Sequence, residues 1–510
     1  MQTPISKLNQ DILWIIFLHV TEFQNLTPVW PNQRGPSPLT SLLHASQVCL
    51  SWRTLILNSS SLWGRVIDIN SLYRSADMWK TEILQRTGKS CLHVKVLIRR
   101  DDGLQRFART LLIGEWDRVR SLEIMFTMTL ESQQELEKWR IFQTPAPKLE
   151  CIYVDCTPPS RHTFANNFEL FANDAPRLRH FSGLTLQINT GASWLSTLRY
   201  LRFTSSFTAS ELLGVLQRTP FLEELDVSTD MADCHVHLLG VTSLPQVVLS
   251  NLGSITMHTV YRPDSVPKYL DVLMHISPAP GCALFLPNLS IDPLPSNLQV
   301  AKRILQLYFQ NFLRGVEAPT DLALHVTNSS FQMFSGPFSF DISCAKGFED
   351  PAVFIEALSS STYDRVKLLN FTTNSTALPP NNRASINIFS SLTSLERLVT
   401  DQDGLRHIVS LPWSATNIAP FPCLHTTILK PADPLDPELL LHFLNLVKPH
   451  IVYSESNLVL EIPVPQYRLR HCDLSCLERF AGLKITWGSY QDRTYICGSG
   501  NPQILNFTAT

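Results

Sequence analysis

Residues 147–154 read Pro147-Lys148-Leu149-Glu150-Cys151-Ile152-Tyr153-Val154, with apolar side chains at the first, fourth and sixth positions counted from Leu149. Successive side chains of a strand point to opposite faces, so Ile152 and Val154 belong on one face and Leu149 in the preceding turn. The same spacing recurs elsewhere in the chain, at Val119, Leu122, Ile124; at Leu198, Leu201, Phe203; at Leu222, Leu225, Val227; and, more loosely, at Leu178, Phe181, Leu184. The pattern predicts a series of short strands.

These triplets resemble the strand segment of a leucine-rich repeat, whose phrase is L-x-x-L-x-L. Their first residues lie 30, 29, 20 and 24 residues apart, which is near the period of such repeats. The Asn that usually closes the repeat is replaced by Thr127, Thr157, Ser206 and Asp230. The triplets are therefore interpreted as degenerate repeats. Pro147, Pro176 and Pro220 each stand two residues before a triplet and are expected to end the preceding helix.

Helix signals lie between the predicted strands. Thr208 and Glu211 form a capping box, and Asp350-Pro351 and Asp436-Pro437 are typical helix starts. Later triplets are predicted at Tyr363, Val366, Leu368 and at Leu395, Leu398. Alternating helices and strands favour parallel strands with helices outside them, so residues 71–510 are predicted to form a repeat-like α/β solenoid. The period is lost at about residues 229–349, where a helix near Tyr269 to Ile276 and a Pro-rich passage indicate an insertion or worn repeats.

The first seventy residues have a different, helical pattern. Ile12, Ile16 and Val20 form one stripe with Leu13 and Phe17, and a Pro-rich segment follows. A second helical pattern then runs from Leu42 to Ile56, and Leu62-Trp63 closes the region. Trp14, Ile15 and Leu18 make the first helix apolar all round, so we expect other parts of the protein to cover it.

These residues resemble the F-box motif. The matching positions are Leu8, Asp11, Ile12, Leu13, Ile16, Phe17, Ser46, Val48, Cys49, Trp52, Arg53, Leu62 and Trp63. The resemblance implies a small three-helix F-box-like domain over residues 1–70, which docks on the Skp-type adaptor of an SCF ubiquitin ligase. Residues 84–96 also look like the helix and strand that follow the F-box in many fungal members. The fold class is therefore predicted as α plus α/β, with an F-box-like domain followed by a leucine-rich-repeat-like solenoid.

The resemblance assigns roles to individual residues. It places adaptor contacts at Leu8, Ile12, Ile16, Phe17, Val48, Cys49 and Trp52, and the F-box core at Leu13, Leu62 and Trp63. Asn9 stands where the family usually has Pro, and the link from about Thr21 to Thr40 is longer than usual. Asn also caps helices well. The alternative interpretation of the region is an ordinary helical hairpin that packs only on its own array.

Composition narrows the class of protein. The 510 residues include 44% hydrophobic and 17% charged residues with a formal charge of −2, and no basic block is present, so nucleic acid is not an expected partner. No stretch has the roughly 20 apolar residues that span a bilayer, so no membrane partner is expected. An odd set of 11 scattered cysteines favours reduced thiols in the cytoplasm, the nucleus or both.

Motifs for catalysis and cofactor binding are missing. The sequence has no G-x-S-x-G, no G-x-x-x-x-G-K-[ST] and no H-E-x-x-H. Cys234, His235 and His237 lie together without further ligands at metal-binding spacing, so neither a metal nor a cofactor is expected. The chain is predicted to be a non-catalytic substrate receptor that bridges a Skp-type adaptor, and through it a cullin-RING ligase, to an unknown client. The alternatives are a repeat scaffold outside any ligase and an enzyme with an unrecognised site in the irregular middle.

Overall fold

The computed structural model describes residues 8–22, 37–99, 101–127, 138–156, 169–183, 188–204, 208–229, 244–259, 266–292, 294–315, 319–413, 420–430, 435–447, 458–464, 469, 472–488 and 493–508. The chain divides into two compact units, Met1–Asn251 and Leu252–Thr510. The helical N-terminal region shares its unit with the strands that follow it. One reason is Asn70, whose amide donates to the Leu97 carbonyl at 2.7 Å and accepts from the Leu97 N–H at 2.6 Å.

The helices of the first unit are concentrated before its main sheet. They are α1 Gln10–Val20, α2 Pro38–Ala45, α3 Leu50–Asn58, α4 Ser60–Gly64, α5 Ile69–Arg74, α6 Asp77–Thr87, α7 Asp102–Glu115 and α8 Ala209–Gln217. Short 3-10 helices occupy Trp116–Arg118, Arg140–Gln143, Leu170–Asn173 and Ser193–Thr197. Between Val119 and Thr204 the described connections therefore contain 3-10 turns rather than the expected α-helices.

The strands of the first unit are parallel and pair in chain order. They are β1 Ile67–Asp68, β2 Leu92–Ile98, β3 Val119–Phe126, β4 Cys151–Cys156, β5 His180–Gly183, β6 Tyr200–Thr204 and β7 Glu224–Thr229, followed by β8 Val247–Leu249. Each strand from β1 to β6 pairs with the next one. The predicted triplets are confirmed from β3 to β7, because their described leucines, isoleucines and phenylalanines are buried. Leu184 lies outside the described residues.

The second unit also alternates helices and strands. Its helices are α9 Val266–Met274, α10 Pro295–Gly315, α11 Ala352–Leu358, α12 Arg383–Ser391, α13 Gln402–Ser410 and α14 Pro437–Val447, with 3-10 helices at Ser475–Arg479 and Pro502–Leu505. Its strands are β9 Ser254–Thr259, β10 Ile276–Pro278, β11 Ala283–Ser290, β12 Asp321–Val326, β13 Ser330–Ser335, β14 Phe338–Ser343, β15 Leu368–Thr373, β16 Arg397–Thr400, β17 Thr426–Leu429, β18 Val459–Ile462, β19 Lys484–Trp487 and β20 Arg493–Ile496.

An antiparallel segment interrupts the parallel pattern of the second unit. Strand β9 pairs parallel with β11 and β11 with β14, whereas β14, β13 and β12 pair antiparallel. Parallel pairing resumes from β12 to β15 and continues through β19, and β20 closes antiparallel. This meander explains why the repeat period is lost before residue 349. Both units thus have mixed α/β folds with long parallel ladders, consistent with a solenoid of leucine-rich-repeat type.

Local signals for helices are confirmed at three predicted starts. Thr208 and Glu211 form the capping box of α8. The Asp350 carboxylate accepts from the Ala352 N–H at 2.9 Å, and that of Asp436 accepts from the Glu438 N–H at 3.0 Å. In the part of the chain that the structure describes, no helix combines the length and apolar character needed to cross a membrane.

The predicted triplet at Tyr363, Val366 and Leu368 is wrong at its last position. Leu368 is only half-buried, whereas Leu369 and Phe371 are fully buried. Leu368 pairs with Asp321 of β12 and Arg397 of β16, which places it on the polar side of the ladder. Apolar residues in both phases of β15 hide the true alternation, and only the register with its neighbours decides it.

Candidate functional site

Helix α1 presents two different faces. Leu13 and Phe17 are buried, at 4% and 1% exposure. The opposite side exposes Ile12 at 48%, Ile15 at 50% and Ile16 at 40%, with Val20 exposed one turn further on. Single exposed aliphatic side chains are ordinary, but four on one helix of 11 residues form an apolar surface of the kind found at docking sites. We call Ile12, Ile15, Ile16 and Val20 the α1 face.

Capping contacts and packing fix the orientation of α1. Asn9 is the N-cap, and its side chain accepts from the Asp11 N–H at 3.3 Å, which confirms the expected capping role. At the other end, the buried Thr21 hydroxyl donates to the Leu18 carbonyl at 2.8 Å. The Glu22 carboxylate then lies 3.3 Å from the Arg65 guanidinium. The helix is thereby held with Leu13 and Phe17 inward.

A second apolar segment precedes and begins α3. Val48 and Leu50 are exposed, and Cys49 between them is the N-cap residue without a side-chain capping bond. Trp52 is half-buried and contacts the Phe17 ring at a centroid distance of 5.0 Å. We call Val48, Cys49 and Leu50 the α3 start.

The residues assigned to the adaptor interface are therefore not equivalent. Ile12, Ile16, Val48 and Cys49 are exposed, and Leu8 and Trp52 are half-buried. Phe17 is the exception: it lies in the core of its unit and has no surface to offer a partner, because helical periodicity turns it to the side of Leu13. In the free chain Phe17 therefore lies beneath the α1 face and supports it. Ile15 and Leu50 are exposed apolar residues that the motif comparison missed.

The residues assigned to the F-box core are buried. Leu13 is 4% exposed, and Leu62 and Trp63 are fully buried. The Trp63 indole N–H donates to the Ile56 carbonyl at 2.9 Å, and the Arg86 guanidinium lies 5.0 Å from the centre of its ring. The hydrogen bond from the Trp63 N–H and the cation–π contact on its ring together hold α4 against α3 and α6.

A polar face runs across the sheet of the first unit. One row of register partners comprises His93, Ser121, Cys151, His180, Tyr200 and Glu224, and a second comprises Lys95, Glu123, Tyr153, Ser182, Arg202 and Asp226. The intervening positions carry the buried apolar triplets. Because alternate side chains of a strand share a face, these two rows line the side of the sheet opposite its apolar core.

Charged and hydrogen-bonded pairs link neighbouring strands of the polar face. Lys95 lies 2.8 Å from Glu123, and Arg202 lies 3.1 Å from Asp226. Within β4 itself, the Tyr153 hydroxyl donates to the Asp155 carboxylate at 3.0 Å. The imidazole of His180 stacks on the Tyr200 ring with centroids 6.0 Å apart. Tyr153 and Ser182 are buried, whereas His180, Tyr200 and Arg202 are half-buried and keep polar and aromatic surface on this face. Such groups can recognise a protein segment.

Burial shifts the pKa values of three titrating groups on this face. Burial, assisted by Arg65 and Arg120, lowers the pKa of His93 to about 4, so its imidazole is neutral at physiological pH. Burial raises the pKa of the Cys151 thiol to about 11, which makes it a poor nucleophile. Burial also raises the pKa of Tyr200 to about 12. These shifts follow from desolvation of side chains packed between strands.

A metal site is not supported by the described side chains. Over the described ranges, no group of three His, Cys, Asp or Glu side chains is placed to hold an ion. The Cys234, His235 and His237 cluster lies outside the described residues.

The second unit has its own polar positions on its parallel strands. The His325 imidazole lies 2.6 Å from the Thr372 hydroxyl, and the Lys430 ammonium donates to the Asn370 side-chain oxygen at 3.0 Å. Phe285 and Phe334 are exposed on either side of Ser339 in register. This surface combines hydrogen-bonding and aromatic groups, as a protein-binding face does.

Sequence reasoning identified the apolar positions of the triplets but not the polar residues between them. Glu123, Tyr153, Arg202 and Asp226 occupy the single position between the last two apolar residues of their triplets, and Ser182 directly follows Phe181 in the looser copy. Comparing this position across the repeats would have identified these polar residues from the sequence. Their pairing across strands could not be predicted, because it depends on strand register.

Comparisons with known proteins add little to this description. Neither protein-family models nor curated proteins show a match to the chain. Among solved structures, a leucine-rich repeat-containing protein from Legionella pneumophila is similar at 14% identity and a TM-score of 0.21, over 71% of this chain and 92% of that one. A TM-score of that size carries no argument, so the fold assignment rests on the strand ladders themselves.

Proposed function

We propose that the protein is a non-catalytic substrate-recognition subunit of an SCF-type ubiquitin ligase. In this proposal the α1 face and the α3 start dock on a Skp-type adaptor, which connects the chain to a cullin-RING ligase. The polar faces of the parallel strands bind a client protein. The subunit then acts by holding the client near the conjugating enzyme, raising its effective concentration there.

The observation that carries the proposal is the exposure of the α1 face. Its residues include Ile12 and Ile16, which occupy positions of the F-box-like motif, and they are exposed although each is strongly apolar. Burying one such side chain contributes about 1.5 to 3 kcal/mol. Several together, with Val48 and Leu50, supply the apolar centre that a specific interface requires.

Co-expression with a Skp-type adaptor tests this proposal. We expect the two chains to co-elute on size exclusion as a 1:1 complex and expect Ile16→Asp to abolish that complex. Ile16 is exposed in the free chain, so the substitution leaves the core intact. A folded wild-type chain that elutes alone would reject the ligase assignment.

A non-catalytic repeat scaffold is the second candidate. The observation in its favour is that Phe17 and Trp52, two motif aromatics, contact each other instead of both facing outward. In a scaffold of this kind the α1 face would bind a partner unrelated to ubiquitin transfer. Retention of clients without any adaptor in the co-elution experiment would favour this candidate.

A further inference from the structure

A basic groove lies at one edge of the parallel strands of the first unit. It has a volume of about 400 Å³, and its lining includes Glu150, Arg177, Arg179, Thr197, Arg199 and Phe221. The polar face described above is formed by positions further along the same strands. The groove is therefore a separate feature, built by the turns that lead into β5, β6 and β7.

The repeats build this groove from the two positions that flank the first leucine of each triplet. Arg179 and Arg199 follow the buried Leu178 and Leu198, whereas Arg177 and Phe221 precede Leu178 and Leu222. Backbone hydrogen bonds align the turns: the Arg179 N–H donates to the Glu150 carbonyl at 2.8 Å, and the Arg199 N–H to that of Arg179 at 2.8 Å. Side chains on adjacent turns are thus held about 4.8 Å apart.

Charge pairing within the groove is incomplete. The Glu150 carboxylate lies 2.8 Å from the Arg120 guanidinium, and Arg199 lies 2.5 Å from Glu223. Each of these charges therefore has an opposite charge beside it. Arg177 and Arg179 are both exposed, and in the described part of the chain neither forms an ion pair. Among the described residues, the groove consequently carries two guanidinium groups that form no ion pair with a carboxylate.

The turns into the strands of the second unit show that unpaired charge is not a general property of these repeats. There Lys367 lies 2.8 Å from Glu396, which also lies 3.8 Å from the His425 imidazole. At these positions, which correspond to those of Glu150, Arg179 and Arg199 in the first unit, opposite charges lie next to each other and pair. Arg177 and Arg179 differ from these positions, because no described residue forms an ion pair with them.

Phe221 adds an apolar element to the groove. Its side chain is 59% exposed although neighbouring triplet residues are fully buried. A phenyl ring beside two planar guanidinium groups suits a ligand that carries an oxyanion next to an apolar side chain, because guanidinium binds oxyanions in a bidentate manner. A nucleic acid fits less well, because the chain has a formal charge of −2 and lacks a longer basic track.

We propose that this groove binds an anionic protein segment, with Arg177 and Arg179 holding a carboxylate or phosphate group and Phe221 contacting an adjacent apolar side chain. The proposal deepens the client-binding half of the proposed function and rests on it for the ligand being a client. Carboxylate and phosphate share the same oxyanion chemistry, and the experiment separates them.

Fluorescence anisotropy on the full chain tests the groove. The probes are fluorescein-labelled peptides Gly-Phe-Gly-Ser-Gly, the same peptide with phosphoserine, and the same peptide with Glu-Glu in place of Ser. We expect at least one anionic probe to bind at least about tenfold more tightly than the Ser probe, since hydrogen bonds between ionised groups are stronger than those between neutral groups. Preference for phosphoserine or for Glu-Glu then identifies the source of the anion. Binding should weaken as salt is added.

Variants assign the binding to the groove. Arg177→Glu combined with Arg179→Glu should lower affinity for the anionic probe by at least about tenfold. Phe221→Ser should lower it by a smaller factor, about threefold to tenfold. Lys148→Glu is the matched control, because Lys148 precedes Leu149 as Arg177 precedes Leu178, is exposed, and lies outside the groove. It should retain affinity within about twofold.

Three results would overturn the groove assignment. They are equal binding of charged and uncharged probes, undiminished binding by the double arginine variant, and tighter binding of a single-stranded oligothymidylate than of either anionic peptide. Co-elution of the wild-type chain with the Skp-type adaptor is measured separately. If the wild-type chain binds the anionic peptide but not the adaptor, the groove remains an anionic-peptide site and only its role in a ligase is lost.

Discussion

The ring of Phe17 lies edge-on against the indole of Trp52, with centroids 5.0 Å apart and planes at 77°. This contact joins α1 to α3 and accounts for the burial of Phe17, which sits beside the exposed Ile16 in the chain. Edge-to-face aromatic pairs stabilise by about 0.5 to 1.5 kcal/mol beyond the area they bury. The pair therefore fixes which side of α1 remains available to a partner.

Ile16→Asp is expected to weaken adaptor binding by at least about 2 kcal/mol, or roughly thirtyfold, since it places a carboxylate in an apolar interface. Met78→Asp is the control, because Met78 is exposed on α6 and outside the α1 face. Isothermal titration against a Skp-type adaptor measures both. Equal losses in the two variants would remove the α1 face from the interface.

Trp52→Ala is also expected to weaken binding, partly through loss of its contact with Phe17.

Trp63→Ala is expected to lower the free energy of unfolding by about 3 to 5 kcal/mol, because it leaves a cavity at a fully buried position. Trp63→Phe should cost less, although it removes the N–H donor to the Ile56 carbonyl. Urea denaturation followed by circular dichroism measures both changes. Wild-type stability in Trp63→Ala would contradict the packing of α4 described here.

Gly315→Ala is expected to destabilise the protein by about 1 to 3 kcal/mol, since the added methyl would overlap the backbone of Pro280 and Gly281. The Gly281 N–H donates to the Asn311 carbonyl at 2.8 Å, so this turn cannot move away freely. Gly114→Ala in α7 is the matched control, because its methyl meets open space. It should stabilise by up to about 1 kcal/mol. Thermal unfolding of both variants shows whether each substitution raises or lowers stability. Equal melting temperatures would contradict the close approach of Gly315 to Pro280 and Gly281.

His407 predicts a pH dependence of stability. Burial lowers its pKa from 6.5 to about 4, and its Nε2 lies 3.1 Å from the Ser385 hydroxyl between the rings of Phe371 and Phe389. The unfolded state binds a proton first as pH falls, so the stabilisation is complete above about pH 6.5 and is lost towards pH 4.

At pH 4 the loss from His407 amounts to about 3 kcal/mol. His407→Gln should remove this pH-dependent difference, whereas His442→Gln, at an exposed position of α14, should follow the wild type. Urea denaturation at pH 7, 5.5 and 4 measures the differences. An unchanged pH dependence in His407→Gln would show that the histidine titrates normally.

Several features of the fold were predictable because they depend on short-range pattern. Leu122 and Ile124 alternate with Ser121 and Glu123, and the period of two assigns both apolar residues to the buried face of a strand. Capping by Asn9 and by Thr208 follows from side chains that reach only to the next helical turn. The phase of β15 was mispredicted at Leu368 because apolar residues occupy both of its faces. No local signal separates them.

The sequence pattern also did not predict that the first compact unit extends to Asn251. The break expected at residue 70 is bridged by hydrogen bonds between Asn70 and Leu97, two residues far apart in sequence. A contact of this kind has no local signature. It depends on where β2 lies relative to α5.

The amino-acid sequence by itself determined the strands of the triplets between Val119 and Val227, three helix starts and the helical N-terminal region, since each follows from spacing along the chain. Only the tertiary structure decided that Phe17 is buried while Ile16 is exposed, and that among the described residues Arg199 has an ion-pair partner while Arg177 and Arg179 have none. Exposure and charge pairing depend on neighbours brought together by strand register and helix packing. These long-range relationships define the surfaces proposed to bind partners.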